Sequence, residues 1–151
     1  MNGQIISDND LHNLVKTRWK NTVKRSFNLG VTGPNYKDYE DVLLENYKNG
    51  FTCGYCLRKL ELNTSYPYVA APSIDHKTPL SAGGTNAKEN LFVCCNCCNI
   101  VKGTMSFLGF CKLLGALRLY CPDDFDGLMK EMLLGHLANK LKRLDNEVKS
   151  P

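Results

Sequence analysis

Residues 73–103, SIDHKTPLSAGGTNAKENLFVCCNCCNIVKG, contain an Asp-His pair, a Gly-Gly turn, an Asn-Leu step and four cysteines within five positions. Residues 73–76 and 91–95 are typical of two short strands, and the loop that joins them contains the two glycines. A helix is expected to begin near residue 97. This stretch therefore predicts a strand, a loop, a strand and a helix in about thirty residues.

The segments on either side of this stretch have helical patterns. Apolar residues recur at every fourth position early in the chain, which predicts an amphipathic helix over residues 9–27. A shorter helix is predicted for residues 36–47. Apolar residues dominate 106–120, and a last helix is expected to open at Pro122. These C-terminal helices pack on the core or, as a second interpretation, form a dimer seam.

Length and composition favour one small domain with appendages. The chain has 151 residues, of which 43% are hydrophobic, enough to bury one core. Its first residues do not form a signal peptide, and no stretch approaches the roughly 18 apolar residues that span a bilayer. We therefore expect an intracellular location, in the cytoplasm or in a host cell if the protein is viral, and no membrane partner.

The eight cysteines are expected to bind metal rather than to form disulfides, because the compartment is expected to be reducing. One Cys-x-x-Cys knuckle is Cys53 with Cys56, and the residues that follow it, 57–62, are expected to form a short strand. The second is ambiguous because the same spacing occurs twice, in Cys94 with Cys97 and in Cys95 with Cys98. Two knuckles can supply the four tetrahedral ligands of a structural zinc ion. The isolated thiols are predicted to be buried and free: Cys111 and Cys121.

A second group of residues could carry chemistry, because a structural zinc site leaves no position for substrate. The Asp75 carboxylate and the Asn99 carbonyl are oxygen ligands suited to a hard divalent cation. His76 is the candidate general base, and its ordinary pKa of about 6.5 predicts activity that rises through roughly pH 6 to 7. The alternative interpretation is a surface turn or a brace for the zinc site.

The whole pattern resembles a known family. The matching run is Asp-His-x-x-Pro-Leu-Ser-x-Gly-Gly-Thr-Asn from Asp75, then Glu-Asn-Leu from Glu89, then Cys-x-x-Cys-Asn-x-x-Lys-Gly from Cys95. It closely resembles the HNH endonucleases, in their zinc-stapled four-cysteine subgroup. The resemblance covers residues 53–103, about a third of the chain.

This resemblance implies an α+β fold with a ββα-metal core that hydrolyses DNA phosphodiester bonds. It implies one catalytic divalent cation, Mg²⁺ or another, in addition to the structural Zn²⁺. By position His76 is similar to the general base and Asp75 to a metal ligand. Asn90 is similar to the asparagine that braces the loop, and Asn99 replaces a final histidine ligand. The family pattern also selects the second knuckle, so that the implied zinc ligands are Cys53, Cys56, Cys95 and Cys98.

The expected organisation has three parts. Residues 1–50 form a helical extension that could act as a DNA-binding arm, residues 51–105 the nuclease core, and residues 106–151 helices that pack on the core or on a partner. Three lysines near the site are weak candidates for phosphate contact: Lys77, Lys88 and Lys102. The expected partner is DNA, and a homodimer or a larger phage or mobile-element complex is a further expectation. The alternative function is a catalytically silent zinc-stapled module for nucleic-acid binding or assembly.

Overall fold

The computed structural model describes residues 7–62 and 69–148, with side chains to residue 143. The fold is α+β, with five α-helices and one two-stranded sheet among the described residues. The elements in chain order are α1 (Asp8–Leu29), α2 (Tyr36–Lys48), β1 (Pro72–His76), β2 (Leu91–Cys95), α3 (Asn96–Lys102), α4 (Phe107–Tyr120) and α5 (Phe125–Val148).

Local signals set the ends of the first helices. The Ser7 side chain accepts a hydrogen bond from the backbone N–H of Asp10, which caps the N-terminus of α1. Gly30 ends the helix in the left-handed region, with φ of 64°, and its N–H bonds back to the last turn. Asn35 caps α2 in the same way as Ser7 caps α1. The helices predicted over 9–27 and 36–47 are therefore confirmed, with ends that differ by one or two residues.

The sheet and the short helix after it form the predicted strand, loop, strand and helix. β1 and β2 are antiparallel, in a register that runs from Pro72 opposite Cys95 to His76 opposite Leu91. Every residue of β1 is buried, because α3 packs against this strand and the N-terminal helices cover the sheet. Side chains from both ends of the chain complete the core: Val15, Tyr39, Leu43, Phe110, Met129 and Leu133.

Two expectations from the sequence differ from the structure. Residues 57–62 do not form the short strand expected after the first knuckle, and this segment instead makes one antiparallel bridge, Thr52 with Lys59. The continuation of that expected segment, residues 63–68, lies outside the described residues. Cys111 and Cys121 are half-buried rather than buried.

Within the described ranges, no single helix is long and apolar enough to cross a membrane. Only the bent pair α3 and α4, at 110° to each other, reaches that length and hydropathy together.

Candidate functional site

Four cysteine sulfurs converge between the first knuckle and the start of α3. The Sγ atoms of Cys53, Cys56, Cys95 and Cys98 all lie within 4.8 Å of one another, and the Sγ atoms of Cys56 and Cys95 are 3.8 Å apart. Four ligands at about 2.3 Å around a tetrahedral zinc ion would be separated by about 3.8 Å. The cluster therefore has the composition and the spacing of a zinc site.

Backbone and charge interactions favour thiolates in this cluster. The N–H of Cys56 donates to the Cys53 sulfur at 3.5 Å, and the N–H of Cys98 donates to the Cys95 sulfur at 3.4 Å. Arg58 Nε donates to the Cys56 sulfur at 3.3 Å. The hydrogen bond with the Cys53 thiol acts in the opposite direction and raises the pKa of Cys98, because it stabilises the protonated form. A divalent cation would replace the shared protons and stabilise four thiolates.

The other two cysteines of the four-cysteine run belong to the core. Cys94 and Cys97 are fully buried, and the Cys97 thiol donates to the carbonyl of Met129 at 3.4 Å. Burial raises the pKa of Cys94 well above its ordinary value, which keeps it a neutral thiol. The two possible knuckles therefore lie in different environments. Cys95 and Cys98 lie in the cluster of four sulfurs, whereas Cys94 and Cys97 pack in the core.

Asp75 and His76 occupy the end of β1, where the strand gives way to the loop. The hydroxyl of Tyr55 donates to Asp75 Oδ2 at 2.7 Å. Burial, followed by the Asp75 carboxylate, raises the pKa of Tyr55, so the hydroxyl remains a donor. The Lys102 ammonium lies 3.0 Å from the same oxygen and 3.3 Å from Oδ1. Asp75 is therefore held from two sides.

His76 is held by an amide whose orientation can be deduced. The Asn86 Nδ2 group donates to the Thr32 carbonyl at 2.6 Å and to Ser26 Oγ at 2.9 Å. A carbonyl can only accept, so Asn86 must turn its Nδ2 toward Thr32 and its Oδ1 toward His76. His76 Nε2, at 2.8 Å from that oxygen, must then carry the proton. The neutral ring keeps its lone pair on Nδ1.

The electrostatic environment favours this neutral ring. Burial lowers the pKa of His76 below its usual 6.5. The Asn86 hydrogen bond opposes this by a smaller amount, and the positive charge of Arg25 makes a still smaller contribution that lowers the pKa. The proton therefore leaves His76 at a lower pH than the unperturbed value predicts. His76 is available as a base at neutral pH.

The Gly-Gly loop is tied to the end of β1 by Asn90. Its Oδ1 accepts from the Thr78 N–H at 2.8 Å, and its Nδ2 donates to the carbonyls of Thr78 and Thr85 at 3.0 and 2.8 Å. Gly83 has φ of 84°, and a Cβ on Gly84 would collide with the Thr78 carbonyl. Asn90 and the two glycines thus determine the path of the loop that carries Asn86.

Asn99 lies one turn into α3, on the side that faces β1. Its Nδ2 donates to Ser73 Oγ at 2.7 Å, which leaves the amide oxygen as its remaining acceptor. Asn99 borders a cavity of 320 Å³ together with Asp75 and His76. The structure therefore brings three of the predicted site residues to one cavity, while Asn90 contributes through the loop.

Helices from both ends of the chain complete the rim of this cavity. Arg25 of α1 and His136 and Lys140 of α5 are exposed side chains that line it. A larger hollow of about 450 Å³, between α2 and β2, contains none of the groups around His76.

The three lysines proposed for phosphate contact have different surroundings. Lys102 is fully buried, and its ammonium bonds to Asp75 and, at 3.0 Å, to the His76 carbonyl. Its predicted phosphate contact is therefore wrong for this structure. Lys77 Nζ donates to the Glu89 carbonyl at 2.7 Å, and Lys88 lies 3.8 Å from Asp41 at the surface.

The sequence analysis assigned no role to Tyr55 and Asn86, which hold Asp75 and His76. Asn86 belongs to the quoted run, but its partners Ser26 and Thr32 are more than fifty positions away. Tyr55 lies inside the first knuckle, and a buried tyrosine needs a partner for its hydroxyl. That requirement was the one feature of the sequence that could have indicated a polar partner for Tyr55.

Comparison with known proteins identifies one region. Residues 53–104 match the family model described as HNH endonuclease. The match contains the four clustered cysteines, Asp75, His76, Asn90 and Asn99. No curated protein and no solved structure matches the chain at a significant level.

Proposed function

We propose that this protein is a metal-dependent endonuclease that hydrolyses DNA phosphodiester bonds, with His76 as general base. The HNH match supports the reaction class. The observation that carries the assignment of the base is the hydrogen bond from His76 Nε2 to Asn86, which leaves the Nδ1 lone pair for a water molecule. Asp75 and Asn99 border the same cavity.

The oxygen groups in this cavity suit a hard divalent cation such as Mg²⁺. An ionised carboxylate has about four lone-pair sites. Tyr55 and Lys102 occupy the two on Asp75 Oδ2, and Lys102 has only a long contact, 3.3 Å, with Oδ1. One acceptor site of Asp75 therefore remains, and the Asn99 amide oxygen is a second. A bound cation would stabilise negative charge on the phosphate and on the departing oxygen.

The protein's own groups would then act in a definite order. His76 Nδ1 accepts a proton from a water molecule as that water attacks phosphorus, and the bond from phosphorus to the 3′ oxygen breaks. The departing 3′ oxygen takes a proton from solvent water. The products carry a 5′ phosphate and a 3′ hydroxyl. Asn86 holds the ring during this step, since its hydrogen bond prevents the imidazole from turning.

One observation favours a second candidate function, a silent nucleic-acid-binding module. The Lys102 ammonium already neutralises Asp75, and a carboxylate with a buried counter-ion attracts a metal ion less strongly. In that case the four-cysteine site would stabilise the fold and DNA would bind without being cut.

The test uses an end-labelled DNA duplex with Mg²⁺, Mn²⁺, Ni²⁺ or no added cation, and zinc content is measured in the same samples. We expect cation-dependent cleavage with ends that DNA ligase can rejoin, because ligation requires a 5′ phosphate. Intact DNA with every cation, in samples that retain zinc and bind the duplex, would favour the silent module.

A further inference from the structure

We propose that α1 and α5 together provide a phosphate-binding rim at the His76 cavity, in which Arg25 and Lys140 bind DNA backbone phosphates on either side of the one that is cleaved. Both residues lie outside the 53–104 match. The inference rests on the proposed function and adds the groups that hold its substrate.

The first support is the position of α5. His136 and Lys140 are four residues apart, so they lie on one face of the helix, and both border the cavity with His76 and Asn99. Met129 and Leu133 of the same helix are fully buried. This packing fixes the helix, so the exposed side chains one and two turns later are presented to the cavity.

The second support is the position of α1. Arg25 borders the same cavity as His76 and Asn99. The next residue, Ser26, is buried and accepts the hydrogen bond from Asn86. Arg18 donates to the Pro72 carbonyl of β1 at 2.7 Å. These bonds hold α1 against the sheet on both sides of the turn that carries Arg25.

The charge around the cavity identifies the class of ligand. Arg25 and Lys140 are exposed cations. Among the described residues, the one carboxylate that borders this cavity belongs to Asp75, which is paired with buried Lys102. The rim therefore attracts anions. A base-reading surface would need polar groups directed at base edges, while arginine and lysine at a cleavage cavity suit the phosphate backbone. The ligand is thus a phosphodiester chain, recognised largely without regard to sequence.

Most exposed lysines are only solvated, so the test needs a control of equal charge. Lys142 lies about 200° around α5 from Lys140, and Lys16 about 180° around α1 from Arg25. Both control lysines are exposed. The two double variants, Arg25→Ala with Lys140→Ala and Lys16→Ala with Lys142→Ala, each remove two positive charges.

The measurement is the Kd for a fluorescent DNA duplex as a function of salt, without divalent cation so that the DNA stays intact. Each phosphate contact contributes about 0.9 to the slope of log K against log salt. For the Arg25 and Lys140 variant we expect the magnitude of this slope to fall by about 2. For the Lys16 and Lys142 control it should fall by less than about 0.5. Arg25→Lys with Lys140→Arg should keep the wild-type slope.

Equal slopes for the two double variants, with wild type binding and cleaving DNA, would overturn the rim and leave the nuclease intact. Wild type that neither binds nor cleaves DNA would overturn the proposed function and the rim with it. Thermal unfolding and zinc content of both variants should equal those of wild type, because all four side chains are exposed.

Discussion

Asn86 offers the most specific perturbation, because one side chain fixes the proton on the proposed base. It accepts from His76 and donates to Ser26 and Thr32, and it is itself buried. Asn86→Ala would leave these three groups without a partner. Two of these groups, on His76 and Ser26, are buried, and each buried unpaired group costs about 1–3 kcal/mol, so we expect a loss of about 2–6 kcal/mol in the free energy of unfolding. The ring would also be free to turn, which should lower the cleavage rate at least about 100-fold.

Asn86→Asp separates positioning from simple destabilisation. Aspartate keeps an oxygen near His76 Nε2, and its negative charge favours the imidazolium form. We therefore expect the pH at which cleavage reaches half its maximum to rise above the wild-type value. The assay is single-turnover cleavage of a duplex from roughly pH 5 to 8, with urea unfolding of both variants. An unchanged midpoint in Asn86→Asp, together with a wild-type rate in Asn86→Ala, would refute the role of Asn86.

Further predictions concern the zinc site, the buried ion pair and the pH profile. Cys56→Ser should release zinc and unfold the core, since structural zinc contributes about 10 kcal/mol or more, whereas Cys94→Ser should retain zinc; the reverse pattern in metal analysis would contradict the ligand set. Lys102→Met should lower the free energy of unfolding, measured in urea, by about 3–5 kcal/mol, because it leaves the buried Asp75 charge unpaired. A decrease below about 1 kcal/mol would contradict a structural ion pair. Wild-type cleavage should rise with pH about a midpoint below 6.5, the ordinary pKa of histidine, because burial lowers the pKa of His76; a rise centred above pH 6.5 would contradict this.

Local features of the sequence predicted much of the fold. The ends of α1 and α2 follow from Ser7, Gly30 and Asn35, which act on their own neighbours. The two strands and α3 follow from short apolar runs and from the turn at Gly83. The segment after the first knuckle was mispredicted as a strand, because strand formation depends on a partner segment. Within the described part of the chain, this segment makes a single antiparallel bridge, between Lys59 and Thr52.

The parts of the site that depend on distant contacts could not be predicted. The spacing of the cysteines is the same for two knuckles, and only the family resemblance chose between them. The structure distinguishes them by the convergence of the Cys95 and Cys98 sulfurs on the distant first knuckle. Lys102 was expected to face solvent, because nothing local indicates that its ammonium turns inward to Asp75. The rim formed by Arg25 and Lys140 depends on the way two terminal helices pack around β1.

The central claim is that His76 acts as the base in a DNA-cleaving site. The most direct measurement is the conversion of supercoiled plasmid to nicked or linear DNA by wild type, His76→Ala and a histidine control, His12→Ala, with Mg²⁺ or Mn²⁺. His12 lies on α1 and bonds to Tyr36 at the surface, away from the cavity. We predict metal-dependent cleavage by wild type and His12→Ala and none by His76→Ala, which should still hold zinc and bind the plasmid. Equal cleavage by His76→Ala would contradict the mechanism.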